Sequence, residues 1–477
     1  MKKKTVLIIG AGICGLACAR ELTKHDAINV VVLEASNRIG GRIHSHTTED
    51  GVSLELGAHY IHGTIGNPIY DFAVEKGIIE KTIEKQEWES HETLRFFGKD
   101  ITLDSTNKTK AADMAENFAE SMIDQLCEGQ DLDSKNFDNL GDYWNHKVET
   151  FKEGLSPGDE PLINAMQCVF NHLRLTEMAY NGCDRLEQID IESYVVDEEI
   201  PGNRYFNPIA GYSKIVDALY EDIREGVVLR NHRVYKVDHS TPKENGFRVL
   251  CENGESFNAD IVLVTASVNV LKSMLVTEGF FEPPLPCEKK QALEKVKLSN
   301  VVKLFFKFTN PFPNEDVKYL HFFPSEQCMK MSKLGWVYEL ERIGNSDWWL
   351  TWIVGDLITE YHNYDSKKIF AKELFEHLKT QYLDFPSDLE IDNDSIVTHD
   401  WSQDPNFQGG YSYFETGGNI KEIIPILRKP IVYDTNETKC RLILSGEITM
   451  QDYFSTTHAG FTAGVRDGKE IAKLLGF

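Results

Sequence analysis

The sequence predicts an α/β protein: a doubly wound parallel sheet that binds a dinucleotide, with an α+β unit interleaved into it. Three observations carry this. An apolar, β-branched run, Val6 to Ile9, leads straight into Gly10-Ala11-Gly12-Ile13-Cys14-Gly15, the strand, glycine turn and helix start that cradle a pyrophosphate. A second apolar run ends on an acid, Glu34, nineteen residues past Gly15. Strand-like alternation then lapses over a long charged stretch and resumes near residue 208, so the sheet is interrupted and taken up again.

Taken in order, Val6 to Ile9 read as a buried parallel strand. The glycines permit the tight turn, the approach of a pyrophosphate to the backbone and close helix packing. Leu16 to Leu22 read as a helix whose N-terminal amides face the phosphate. Val30 to Leu33 form the next strand, and Glu34 is placed to accept both ribose hydroxyls and to repel a 2′-phosphate. Arg38, Gly40, Gly41 and Arg42 make a second phosphate-side loop with a guanidinium that forks onto oxygens. Ser53 to Gly57 lead into Ala58-His59-Tyr60-Ile61-His62-Gly63, a polar, aromatic loop suited to lining a ring-shaped ligand. The HxxH spacing of His59 and His62 has no third ligand at metal spacing, so no metal is expected.

A helix is expected over Ile69 to Lys76. Residues 85 to 205 read as charged and helix-like, with a long amphipathic stretch from Asp104 to Gln130 and a solvated acidic face from Asp190 to Glu199. The nucleotide unit resumes at Pro208-Ile209-Ala210-Gly211-Tyr212, followed by a helix from Ser213 to Arg224. Val227 to Val237, Phe247 to Cys251 and Ile261 to Thr265 read as strands of a small sheet. Residues 297 to 399 combine aromatic-rich strands with a helix, Ser366 to Tyr382. Leu442 to Gly446 is a buried strand and Gly460 to Leu475 a closing helix. The expected division is 1–84, 206–296 and 400–477 for the nucleotide-binding domain, and 85–205 with 297–399 for a substrate-binding domain.

At 477 residues the chain is long enough for two domains. A net charge of −25 argues against nucleic acid or an anionic membrane as partner and suits a small cation. Nine scattered cysteines without a CxxC pair fit a reducing compartment. The start MKKKTVLIIGAGICGLACA resembles a secretory signal, but cleavage would destroy the nucleotide fingerprint, so retention is expected. No apolar run reaches membrane-spanning length, and the ending LLGF is not of the SKL type. The cytoplasm is the expected compartment.

The stretch EASNRIGGR resembles the flavin-binding signature of FAD amine oxidases. With IIGAGICGLACA, LGAHYIHG, the residues around Lys303, WSQDPNFQGGYSYFETG and LSGEITMQDYFSTTHAG, the chain resembles polyamine oxidases of the animal acetylpolyamine and spermine oxidase type over essentially its whole length, most loosely in the middle helical region. The resemblance implies a Rossmann-type FAD-binding domain and oxidation of a C–H bond beside a secondary amine nitrogen. Molecular oxygen would be the electron acceptor, giving peroxide, and the substrate a small cationic polyamine.

Residue by residue, it implies that Gly10, Gly12, Gly15, Glu34, Gly41 and Arg42 hold the adenine nucleotide half, and that Gly57, Ala58, His59 and Tyr60 line the flavin ring. Val234 would meet the adenine through its backbone, Glu447 would sit at the ribityl and phosphate end, Trp401 near the ring, and Thr457 among the cofactor contacts. Lys303 would hold a water against the reactive flavin nitrogen; a lysine in an apolar strand loses charge on burial and needs a partner, the alternative being a strand-edge lysine that snorkels to water. Gly410 stands where covalent monoamine oxidases carry a flavin-bonding cysteine, so the FAD would be non-covalent. Tyr411 would form one wall of an aromatic cage, whose second wall is replaced by Thr456. His62 would lie at a tunnel entrance, and Glu177 would bind a distal ammonium. Rival readings are a histone lysine demethylase, an L-amino-acid oxidase, and a non-enzymatic escort or dissociation-inhibitor protein.

Overall fold

A computed structural model describes residues 3–81, 92–156, 158–196, 200–203, 205–207, 211–240, 246–434 and 439–477. The expected domain boundary at 84/85, the run Pro208–Ala210 and the acids 197–199 lie outside them.

The central sheet has six strands, in the order Ile431–Asp434, Lys439–Leu444, Ile261–Val264, Lys4–Ile9, Ile28–Leu33 and Val228–Leu229. All neighbours run parallel except the first pair. One face, with Val6, Ile8, Val30 and Val32, packs under the helices Ile13–Thr23, Pro68–Glu75, Ser213–Glu221 and Thr457–Leu474. The other, with Leu7, Ile9, Val262 and Val264, packs on a four-stranded sheet and the helices Val268–Val276 and Cys287–Glu294. Both faces are therefore covered, as a parallel sheet requires.

The small sheet differs from the expectation. It consists of Phe281–Glu282, Val234–Asp238, Phe247–Cys251 and Ser256–Ala259. Ile261–Val264 belongs instead beside Lys4–Ile9, because all four of its residues are buried; a strand apolar on both faces is a central parallel strand, not an alternating one. The run from Val227 likewise splits, Val228–Leu229 closing the edge of the parallel sheet.

A second six-stranded sheet runs Ile391–Asp400, Val302–Phe308, Trp348–Ile353, Glu339–Arg342, Val317–Phe323 and Glu92–Phe97. The last strand corrects the reading of 85–205 as helix-like throughout: Glu92–Phe97 pairs parallel with Val317–Phe323 and buries Phe96 and Phe97. The described remainder carries the helices Ser105–Cys127, Leu140–Glu153 and Glu160–Asn181. Ser105–Cys127 starts at Asp104, whose side chain accepts from the Asn107 amide, and Glu160–Asn181 ends at Gly182 in the left-handed conformation. Asp190 is not part of a solvated face. It is buried, caps the turn Ile191–Tyr194 through the Ser193 amide (2.9 Å) and accepts the Gly417 N–H (3.0 Å). Among the described residues no helix is long and apolar enough to cross a membrane.

Candidate active site

The glycine turn and the arginine loop lie side by side. Gly40 donates its N–H to the Ala11 carbonyl (2.9 Å), and Gly12 bridges Gly40. Gly15 rests on the Gly10 carbonyl, where a Cβ would stand only 2.0 Å from the oxygen. Gly41 faces Gly12 across the same gap. The helix Ile13–Thr23 has no side-chain cap at Gly12, which leaves its first-turn amides for an outside acceptor, as a pyrophosphate demands. The Glu34 carboxylate is fixed by the Ala11 amide (2.8 Å) and by the Ser36 amide and hydroxyl (2.8 and 2.9 Å). His232 and Asn231 donate their amides to the Glu34 and Ser36 carbonyls, bringing the segment that enters Val234 beside the acid.

Arg42 crosses from this loop to the C-terminal segment. Its guanidinium pairs with Glu447 (2.8 Å) and donates to the Gly410 carbonyl (2.5 Å), while Ser412 donates to the same carboxylate (3.2 Å). Contacts thus join Gly10, Gly12, Gly15, Glu34 and Gly41, and Arg42, next to Gly41, joins Glu447 to them; the set offers donors of the kind a phosphate takes and an acid of the kind a ribose takes.

At the far end stands Lys303, in the strand Val302–Phe308. It is 4% exposed and its strand has a neighbour on each side, so the snorkelling alternative fails. The ammonium donates to the carbonyls of Glu55 (2.9 Å) and Gly57 (2.6 Å), and Nδ1 of His59 accepts at 3.2 Å. Trp352, its cross-strand neighbour, places a ring 4.4 Å from the nitrogen. Burial lowers the Lys303 pKa to about 7, against the pull of the Glu55 and Glu341 carboxylates. Burial, then the lysine, holds His59 well below the ordinary histidine range. Ala58 donates to the Arg42 carbonyl (3.1 Å), and the Trp401 indole to the Leu56 carbonyl (2.8 Å). Gly57, Ala58, His59, Tyr60 and Trp401 therefore form one wall with Lys303.

Of the substrate residues, Tyr411 is held by a hydrogen bond from its hydroxyl to the Ala179 carbonyl and by its amide to Ser299 Oγ (3.0 Å). Thr456 caps the closing helix: its hydroxyl donates to the Tyr453 carbonyl (2.6 Å) and accepts the Ala459 amide (3.1 Å). Thr457 is hydrogen-bonded to the Tyr212 hydroxyl at 2.5 Å. His62 is exposed, with its ring 6.4 Å from Tyr60 and 6.1 Å from Tyr205. Glu177 is half-buried and accepts from Asn181 and from the Tyr194 hydroxyl, both at 3.2 Å.

Three contributors were missed from the sequence. Glu55 is buried and takes hydrogen bonds from Ser45, Ser53 and the Tyr212 amide; burial raises its pKa. Trp352 and Glu341 come from strands distant in sequence. The pattern Glu339-Leu340-Glu341 was available, since period-two spacing puts both acids on one face of a strand.

Comparison with known proteins gives a match between residues 13–472 and the family described as flavin containing amine oxidoreductase. The peroxisomal N(1)-acetyl-spermine/spermidine oxidase of Bos taurus is 27% identical, the match covering 98% of this chain and 94% of that protein. Probable polyamine oxidase 5 of Arabidopsis thaliana is 24% identical, with coverage of 99% and 98%. Lysine-specific histone demethylase 2 of Homo sapiens is 25% identical across 98% of this chain and 53% of its own.

Proposed function

The chain belongs to the flavin containing amine oxidoreductases and is an FAD-dependent amine oxidase; within that family, we propose that it is a polyamine oxidase. Its substrate is a polyamine (N-acetylspermine, N-acetylspermidine or spermine), oxidised at the carbon next to a secondary amine, and its products are a shorter polyamine, an aminoaldehyde and hydrogen peroxide. Two relatives named as acetylpolyamine or polyamine oxidases are matched over nearly their whole length, the demethylase over about half, which favours the oxidase reading.

FAD, when bound, supplies the two-electron acceptor for the C–H bond and hands the electrons to oxygen. Gly10, Gly12, Gly15, Gly41, Arg42 and Glu447 would hold its phosphates, Glu34 and Val234 its adenosine, and Gly57 to Tyr60 with Trp401 and Thr457 its ring end. Gly410 carries no nucleophile, so the cofactor is non-covalent in this reading. Residues 1–84, 206–296 and 400–477 then form the FAD-binding domain, and 85–205 with 297–399 the substrate-binding domain.

The observation that carries the proposal is Lys303, buried against Gly57 and His59. The reacting amine must be neutral to release hydride, and a site whose own lysine has a pKa lowered to about 7 disfavours a second ammonium by the same desolvation and by like charge. Lys303 is placed to orient a water or exchange a proton, its three donors being spent on two carbonyls and an imidazole that a water could replace in part. Tyr411, next to Gly410, would wall the substrate, with Thr456 leaving the opposite wall open to an aliphatic chain. His62 would meet the substrate outside, and Glu177 a distal ammonium.

The test is the visible spectrum of the purified protein under anaerobic conditions, before and after N-acetylspermine and then spermine. Bleaching of the flavin band by either supports the proposal, and the faster substrate is the preferred one. A band that no polyamine bleaches overturns it. The cysteine pattern favours the cytoplasm, whereas two of the animal relatives are named peroxisomal; fractionation decides between them.

A further inference from the structure

The mechanism leaves one buried acid without a task. Glu341 is 3% exposed. It accepts one hydrogen bond at Oε1, from the Tyr60 hydroxyl; among the described residues Oε2 has no hydrogen-bond partner, and the carboxylate has no ion pair. A buried charge in that position is costly unless a cation meets it. Glu339 lies two residues away on the same face, paired with His321 at 3.1 Å. The intervening Leu340 points into the apolar core on the other side. Across the sheet, Tyr319 and His321 stand opposite Glu341 and Glu339.

Tyrosines surround these acids. Tyr60 meets Tyr205 edge to face at 5.5 Å, and Tyr205 stacks on Tyr180 at 6.3 Å, their hydroxyls 3.3 Å apart. Tyr180 keeps 55% of its surface open, yet burial drives its hydroxyl pKa well up. Tyr60, Tyr205, Tyr319 and Glu339 are half-buried, so open surface reaches the rings beside the acids. Carboxylate and ring faces together are what an alkylammonium binds.

We infer that Glu341, supported by Glu339 and the tyrosines 60, 180 and 205, is a specificity-determining subsite for a non-reacting ammonium of the substrate, additional to the one proposed at Glu177. This rests on the amine-oxidase reading of the Lys303 site. Contacts lead from Lys303 to His59 (3.2 Å), from His59 to Tyr60 (rings 4.4 Å apart) and from Tyr60 to Glu341. The acid therefore sits three side chains from the lysine, far enough to hold one nitrogen charged while another loses its proton. The cations already near are Lys303 and Lys318, the latter over the Tyr319 ring at 5.7 Å; neither pairs with Glu341. Burial and Glu339 raise the Glu341 pKa to about 7, so the subsite is charged in mildly alkaline buffer.

The test compares 1,8-diaminooctane with n-octylamine, which share a chain and differ in the second ammonium. Dissociation constants are measured on the FAD-loaded protein by calorimetry at pH 8.5. Wild type should bind the diamine about tenfold more tightly than the monoamine. Glu341→Gln, with flavin content unchanged, should lose about tenfold in diamine affinity while the monoamine stays within about twofold. Glu339→Gln, which spares the Tyr60 hydrogen bond, should lose less but in the same selective way, and serves if the first variant does not fold. Equal losses for both amines, or an unchanged diamine preference in the variants, overturn the subsite alone. Failure of the wild type to bind either amine overturns the subsite together with the amine-oxidase reading.

Discussion

Lys303 shows how one side chain can be read at two depths. A lysine in the run SNVVKLFFKF was recognisable as out of place, but its partners were not: Gly57 and His59 arrive from a loop some 240 residues earlier, and Trp352 from the facing strand. Its charge has a sign that can be tested. The folded pKa lies near 7, below the unfolded value of about 10.4. Between those values the unfolded chain binds more protons, so this group's contribution to stability rises with pH across that window and is lost as pH falls through 7. The melting temperature of wild type minus that of Lys303→Met should therefore grow from pH 6.5 to 9.5; a difference that is flat or shrinks refutes the assignment. The same substitution should leave the protein yellow and slow flavin reduction or reoxidation by about 10²-fold or more, measured by stopped flow. His62→Ala, at an exposed ring, should change KM for polyamines by severalfold with little change in the reduction rate; unchanged kinetics would remove it from the site.

Among the elements, the first and last helices depend on each other. The run GFTAGVRDG spaces Gly460, Gly464 and Gly468 four apart, on one face of the helix Thr457–Leu474. There, a Cβ on Gly464 would stand 2.1 Å from the Cys14 carbonyl. Gly464→Ala must push the helix Ile13–Thr23 away and, in the proposed reading, shift the amides that would meet the FAD phosphates. The expected cost is about 1–3 kcal/mol together with weaker FAD retention, read by thermal denaturation and by flavin content after dialysis. The spacing was visible in the sequence, yet its partner was not, because a close approach belongs to two helices at once. Strand assignments failed for a related reason. Ile261–Val264 carries no alternation, and only its neighbours show whether a short apolar run is central or at an edge. The Gly10 loop was legible because its geometry is local, and Glu34 because a single helix and strand, Ile13–Thr23 and Ile28–Leu33, fix its distance from that turn.

At the scale of the whole molecule, the proposed nucleotide site draws on both ends of the chain, and the Arg42–Glu447 pair ties them. Glu447→Gln should keep the fold and weaken FAD binding by about tenfold, measured by cofactor titration of the apoprotein; unaltered affinity would show that the pair serves packing alone. The parallel sheet has a further consequence, in time. Lys4–Ile9 lies between Ile28–Leu33, which follows it almost at once, and Ile261–Val264, whose other neighbour is Lys439–Leu444. On a ribosome adding about 5–20 residues per second, the first strand emerges tens of seconds before the last one needed to complete the sheet exists. Until then its apolar edge is without its final cover, and the nascent chain is a natural client for chaperones.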